Sequence, residues 1–296
     1  MLALSARSAL VLCAVSCSRA SGVHLVSTEP VDASPARSPS ADANESDATP
    51  STPDGASALA PLPSQPLFTN LTVPGFPEAV VSVPNGATSP RPVLVVLHGS
   101  GDRPDYNCDA WRHITDAFGF VLCPRGEFDP RESTKGDARY TLRGGARLRA
   151  HVDAALDALA ARYAGYVDVE RPIAVGFSLG ATQIAQLAIA SPSRFPRVGL
   201  VEGGHGVWTE SAIHSFAAGG VHRVLFGCGS TWCLAPARAA AARLVRGGAD
   251  AHVVYANVGH TTDRPLQEVF TSELDWFLQG DTRWRPPVET AQKSAH

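Results

Sequence analysis

Gly176-Phe177-Ser178-Leu179-Gly180 holds the side chain best placed to attack a carbonyl carbon. The apolar run Ile173-Ala174-Val175 precedes it and residues 181–190 read as a helix, so the order is strand, sharp turn, helix. That is the setting in which a G-x-S-x-G pentapeptide makes a nucleophile elbow. On so tight a turn the serine stands clear of the backbone, and the flanking positions need a residue without a side chain because strand and helix approach closely. Ser178 is therefore the candidate nucleophile.

A serine hydroxyl attacks poorly until a base takes its proton, and the base is expected on a loop after the last strand. His260, in Asn257-Val258-Gly259-His260, follows Tyr255 by five residues and stands just before the final helical segment. His205, His214, His222 and His252 fall within elements or on other loops, where packing or surface roles suffice. In acyl transfer the carbonyl oxygen becomes an anion, and two backbone N–H groups must point at the developing charge. Leu179 offers one. Ser100, in His98-Gly99-Ser100-Gly101 directly after the run Val93 to Leu97, offers the other, assisted by Gly101. Alone the tetrapeptide is only a glycine-rich turn; with the elbow downstream it reads as an oxyanion site.

These residues need a scaffold, and strand and helix signals alternate from about residue 67 to 279. Strands are expected at 80–83, 93–97, 120–123, 173–175, 198–201, 221–226 and 252–255. Helices are expected at 109–118, 148–163, 181–190, 235–246 and 265–278, the last opening with proline. Residues 124–145 read as a polar loop. The alternation predicts an α/β chain with a doubly wound, mostly parallel sheet, and the motifs all fall at C-terminal ends of strands, where such folds gather ligands.

Over residues 67–279 the chain resembles the α/β-hydrolase family, through the His98–Gly101 turn, the elbow, Gly259-His260 and the element order joining them. The segment 98–125, with Trp111 and the Phe118-Gly119-Phe120 passage into a strand, is also similar to secreted esterases of the polyhydroxybutyrate-depolymerase and feruloyl-esterase type. The resemblance implies Ser178 as nucleophile, His260 as base, and Leu179 with Ser100 as oxyanion donors. The chain departs from the family at the triad acid. Many relatives carry an aspartate after the strand that here ends near Phe226, yet the loop reads Gly227-Cys228-Gly229-Ser230-Thr231-Trp232-Cys233. A known variation takes the acid from one strand earlier, where Glu202 stands; Asp263 and an acid-free dyad are the alternatives. Trp208 and Trp232 lie in loops near that acid and are expected to wall a substrate pocket, unless they fill the core. The loop 124–145 carries Arg125, Arg131, Arg139 and Arg143, but the interspersed Glu127, Asp129, Glu132 and Asp137 favour a plain solvated loop over an anion site.

The balance of 44% hydrophobic and 18% charged residues suits one globular domain, and a formal charge of −3 gives no reason to expect a nucleic-acid partner. Residues 1–20, with Arg7 before the apolar stretch 9–15, read as an export signal. Either a small-residue site at Ser18-Arg19-Ala20 is cleaved, or Cys17 is lipidated and tethers the chain to a membrane. Residues 21–66, rich in Ser, Ala, Pro, Thr and Asp, are expected to be a disordered linker, residues 67–280 the domain and residues 281–296 a flexible tail. Glycosylation sequons at Asn44 and Asn70 are weak signals. Of six cysteines, Cys108, Cys123, Cys228 and Cys233 fall in the domain, and two local disulfides are expected rather than a zinc site. The reading is an exported serine hydrolase cleaving small or polymeric carboxylic esters, with no metal or organic cofactor. A peptidase or amidase on the same scaffold, and a binding protein that has lost turnover, are the alternatives.

Overall fold

The run Val93-Leu94-Val95-Val96-Leu97 is covered on both faces, each of its side chains being at most 1% exposed. In the computed structural model, which describes residues 59–284 apart from Val221, this run lies at the middle of an eight-stranded sheet. The strands are β1 (Thr69–Leu71), β2 (Ala79–Ser82), β3 (Arg91–Leu97), β4 (Phe120–Pro124), β5 (Glu127–Phe128), β6 (Tyr140–Thr141), β7 (Val167–Phe177), β8 (Arg197–Val201), β9 (Arg223–Cys228) and β10 (Asp250–Tyr255). The helices are α1 (Pro104–Ile114), α2 (Gly145–Arg162), α3 (Leu179–Ala190), α4 (Glu210–Ala217), α5 (Thr231–Arg246), α6 (Arg264–Ser272) and α7 (Leu274–Leu278). In space the sheet runs β1-β2-β4-β3-β7-β8-β9-β10, while β5 and β6 pair apart as a small hairpin. β1 with β2 and β2 with β4 are antiparallel; all later neighbours are parallel.

Two-residue alternation along β3 divides the core. Val93, Val95 and Leu97 join Leu148 and Leu156 of α2, Ile184 of α3 and Leu244 of α5 on one face. Leu94 and Val96 join Trp111 of α1, Phe270 of α6 and Phe277 of α7 on the other. The doubly wound, mostly parallel α/β architecture expected from the alternating pattern is thus present.

Several boundaries differ from expectation, each for a physical reason. The helix expected from 109 starts at Pro104, whose fixed φ suits a first helical position. The strand expected at 173–175 extends back to Val167, because Val167 and Asp168 pair with Arg91 and Pro92 at the start of β3. The strand expected at 221–226 runs to Cys228, and the helix after it begins at Thr231, with Pro236 accommodated inside. The single terminal helix expected over 265–278 is two, α6 and α7, which together bury Phe270 and Phe277. The polar loop 124–145 contains the β5–β6 hairpin.

The folded part also exceeds the expected domain at both ends. Leu62, assigned to the linker, is 6% exposed; its N–H donates to the Ala87 carbonyl and its own carbonyl accepts from Gly86, each at 2.9 Å. Trp284, assigned to the tail, is buried where Gly119 leaves room, since a Cβ on that glycine would lie 2.8 Å from the indole. The expected signal segment with Cys17, the linker up to residue 58 with Asn44, and residues 285–296 lie outside the described residues.

Cysteines pair locally as expected, Cys108 with Cys123 and Cys228 with Cys233. The first bridge ties α1 to β4 across 15 residues of sequence. Freeing a loop of that length costs about 3 kcal/mol through unfolded-state entropy. The Cys108→Ala/Cys123→Ala variant is therefore expected to lose stability of that order, read as a lower urea midpoint with a steeper slope from the more expanded unfolded chain.

Candidate active site

β7 ends at Phe177 and α3 begins at Leu179, so Ser178 alone makes the turn, at φ 54° and ψ −114°. A side chain in that region is strained by about 1–3 kcal/mol and persists only where its surroundings fix it. Three glycines do so. A Cβ on Gly176 would collide with the Gly180 backbone, and one on Gly180 with the Leu97 carbonyl of β3. One on Gly203 would stand 2.5 Å from the Ser178 carbonyl oxygen. The Ser178 N–H donates to the Val201 carbonyl at 2.8 Å, which ties the elbow to the end of β8.

Glu202 follows β8 directly, also at positive φ (52°), with its N–H donating to the Gly227 carbonyl at 2.8 Å. That turn aims a fully buried carboxylate at the loop after β10. Nδ1 of His260 lies 3.0 Å from Glu202 Oε2. An ionised carboxylate only accepts, so the imidazole carries its proton on Nδ1 and leaves Nε2 with a free lone pair. Burial pushes the Glu202 carboxyl up. The bonds it accepts from Ser230, His260 and the backbone N–H of Gly229 outweigh that and hold it below the ordinary carboxylate range.

Ser178 and His260 line one cavity of about 460 Å³. The His260 ring also rests against Phe177, the residue before the serine, with centroids 4.8 Å apart. Among the described residues the Ser178 hydroxyl has no hydrogen bond to His260. Such bonds are often long without substrate and tighten when it binds.

Gly99, Ser100 and Gly101 line the same cavity. Gly99 sits so close to the elbow that a Cβ there would be 3.5 Å from Ser178 Cβ. Leu179 is the first residue of α3, where backbone N–H groups have no partner inside the helix. The buried His98 ring braces the turn, with Nδ1 2.7 Å from the Gly99 carbonyl and Nε2 2.8 Å from that of Arg125. The sequence hints at this only through the position of His98 inside the motif.

No family model matches the chain, and no curated protein matches it either. Solved structures do. A carboxylesterase from Bacillus cereus superposes with a TM-score of 0.50 at 19% identity, covering 67% of this chain and 93% of that one. An S-formylglutathione hydrolase from Agrobacterium tumefaciens gives 0.51 at 14% identity, over 71% and 93%. Est1E from Butyrivibrio proteoclasticus gives 0.50 at 11% identity, over 71% and 97%. The chain has the α/β-hydrolase fold. On this fold the candidate site is drawn from C-terminal strand ends: Ser100 lies beyond β3, Ser178 beyond β7, Glu202 beyond β8 and His260 beyond β10.

The two tryptophans part company. Trp208, expected at a pocket wall, is 1% exposed and packs edge-on against Phe216, 5.1 Å away, in the core beneath α4. It walls nothing. Trp232 does not line that cavity either, but it is 56% exposed, with its ring 5.6 Å from that of His260 at 31°. Asp263, the alternative acid, stands at the N-cap of α6 on the cavity rim and makes no bond to His260. The arginines of 124–145 are taken up by carboxylates: Arg125 lies 3.3 Å from Glu78, Arg139 2.6 Å from Asp137 and Arg143 2.5 Å from Glu127. The solvated-loop reading of this segment fits those pairs. Asp102, Tyr106, Asn107, Asp109, Thr262 and Gln267 also line the cavity. None of these six belongs to a motif, which is why the sequence did not single them out.

Proposed function

We propose that this α/β-hydrolase cleaves carboxylic esters through an acyl-enzyme on Ser178. Ser178 Oγ attacks the ester carbonyl as His260 Nε2 takes its proton, and the N–H groups of Leu179 and Ser100 receive the oxyanion. His260 then hands the proton to the departing alcohol. Water repeats the sequence in reverse to free the acid. Glu202 holds the imidazole tautomer and steadies its charged form. The reading invokes no metal or organic cofactor. The observation that carries it is the strained Ser178 turn sharing a cavity with a His260 whose Nδ1 is 3.0 Å from a buried carboxylate. Glu202 also answers the missing acid after β9, the one feature that favoured a scaffold without turnover.

The cavity wall bears on the substrate. It presents Asp102, Asp109, Asp263, Tyr106, Asn107, Gln267 and two threonines, against Ala110 and Phe177 on the apolar side. A buried CH₂ is worth about 0.8 kcal/mol, close to fourfold in kcat/KM, only where apolar surface receives it. Across p-nitrophenyl acetate, butyrate, octanoate and decanoate, turnover is expected to be highest for the short esters and not to climb beyond butyrate. A rise of several-fold per added CH₂ would contradict this wall, and no turnover of any ester would contradict the function. The two disulfides support an oxidising compartment outside the cytosol, and hence export. Among the described residues no helix is long and apolar enough to cross a membrane.

A further inference from the structure

Four donors hold the Glu202 carboxylate, and three of them come from one short loop. The N–H groups of Gly229 and Ser230 donate to Oε1 at 2.5 and 2.9 Å, and the Ser230 hydroxyl donates to Oε2 at 2.6 Å. The fourth is His260 itself. The same loop grips the chain that carries the imidazole: the Gly229 carbonyl accepts from the N–H of Val258 at 2.9 Å and of Gly259 at 2.8 Å, and the Cys228 carbonyl accepts from Ala256 at 3.0 Å. Trp232, in the first turn of α5 just after it, lays its ring beside His260. Acid and base therefore meet through residues 229–232, which the Cys228–Cys233 bridge closes at both ends, with both half-cystines buried.

We infer that Ser230 and the Cys228–Cys233 disulfide are positioning elements of the acid–base pair. Resting on the esterase reading above, this assigns the second disulfide to turnover rather than to stability alone. Two donors to one carboxylate oxygen and one to the other leave a single lone-pair direction facing His260, so the orientation of the imidazole follows that of the loop. Without the bridge, the residues carrying those donors are held only by their own hydrogen bonds. A displacement of about 1 Å at a reacting group lowers turnover roughly 10²-fold. Trp232 adds an aromatic face beside the ring that becomes cationic during turnover.

The test compares Ser230→Ala, Ser230→Thr and Cys228→Ala/Cys233→Ala with wild type, using p-nitrophenyl acetate kinetics, circular dichroism and thermal unfolding. Ser230→Ala, with the bridge intact, is expected to lower kcat at least tenfold with KM within about twofold, and Ser230→Thr, which keeps the hydroxyl, to recover most of the loss. The double cysteine variant is expected to lower kcat at least as far as Ser230→Ala at a temperature where its dichroism is native. Wild-type kcat in a folded Ser230→Ala protein, or equal losses in the threonine and alanine variants, overturns the role of Ser230. Wild-type kcat in the folded double variant overturns that of the bridge; if that variant does not fold, kcat of wild type reduced under native conditions, with the thiols of Cys228 and Cys233 mapped by alkylation, decides it, and unchanged turnover overturns the role. Failure of the underlying reading looks different: turnover would then survive Ser178→Ala.

Discussion

Ser178→Ala is expected to remove ester turnover by about 10⁵-fold or more while the protein stays folded. The size of the effect follows from the covalent step. Without Oγ no acyl-enzyme forms, and what remains is slow attack by water on an ester held by the oxyanion donors. Folding should tolerate the change, because alanine meets the same backbone demand at φ 54° and the glycines that enforce the turn are untouched. Dichroism and unfolding temperature close to wild type, together with lost turnover, are the expected pair of results.

Glu202→Gln is the second large effect, expected at about 10⁴-fold in kcat. The backbone N–H groups of Gly229 and Ser230 both point at Oε1, so a glutamine places its carbonyl oxygen there. Its NH₂ then faces His260 Nδ1, which must accept instead of donate. The imidazole proton moves to Nε2, the nitrogen that has to take the serine proton, and the base is in the wrong tautomer. Glu202→Asp shortens the side chain and is expected to lose less, since its charge survives. The check is kcat for both variants: a glutamine variant within tenfold of wild type would return the acid to Asp263 or to a dyad without one.

The elbow was legible in the sequence because a backbone constraint is written there as glycine. Gly176 and Gly180 stand where any Cβ would strike backbone, and a spacing of four reports it. Continuous apolar runs such as 93–97 announced the sheet in the same way, as strands with no wet face. Glu202 was found by its place after a strand, though nothing local marks it as buried. Burial of a side chain is decided by distant partners, which explains the tryptophans: Trp208 meets Phe216 and disappears into the core, whereas Trp232, in the first turn of α5, stays at the surface. Leu62 has no apolar rhythm around it and reads as linker, yet a pair of backbone bonds to residues 86 and 87 anchors it. Ser230 carried no signal at all. Its three-dimensional partner is 28 residues away, and no motif joins them.

Activation of Ser178 by His260 is read out by mass spectrometry after exposure to a fluorophosphonate. One phosphonyl adduct per wild-type chain is expected, mapped to the peptide containing Ser178, with none on Ser178→Ala and markedly slower labelling of His260→Ala. An adduct on a different serine, or ester turnover by folded protein that the reagent leaves unmodified, would contradict it.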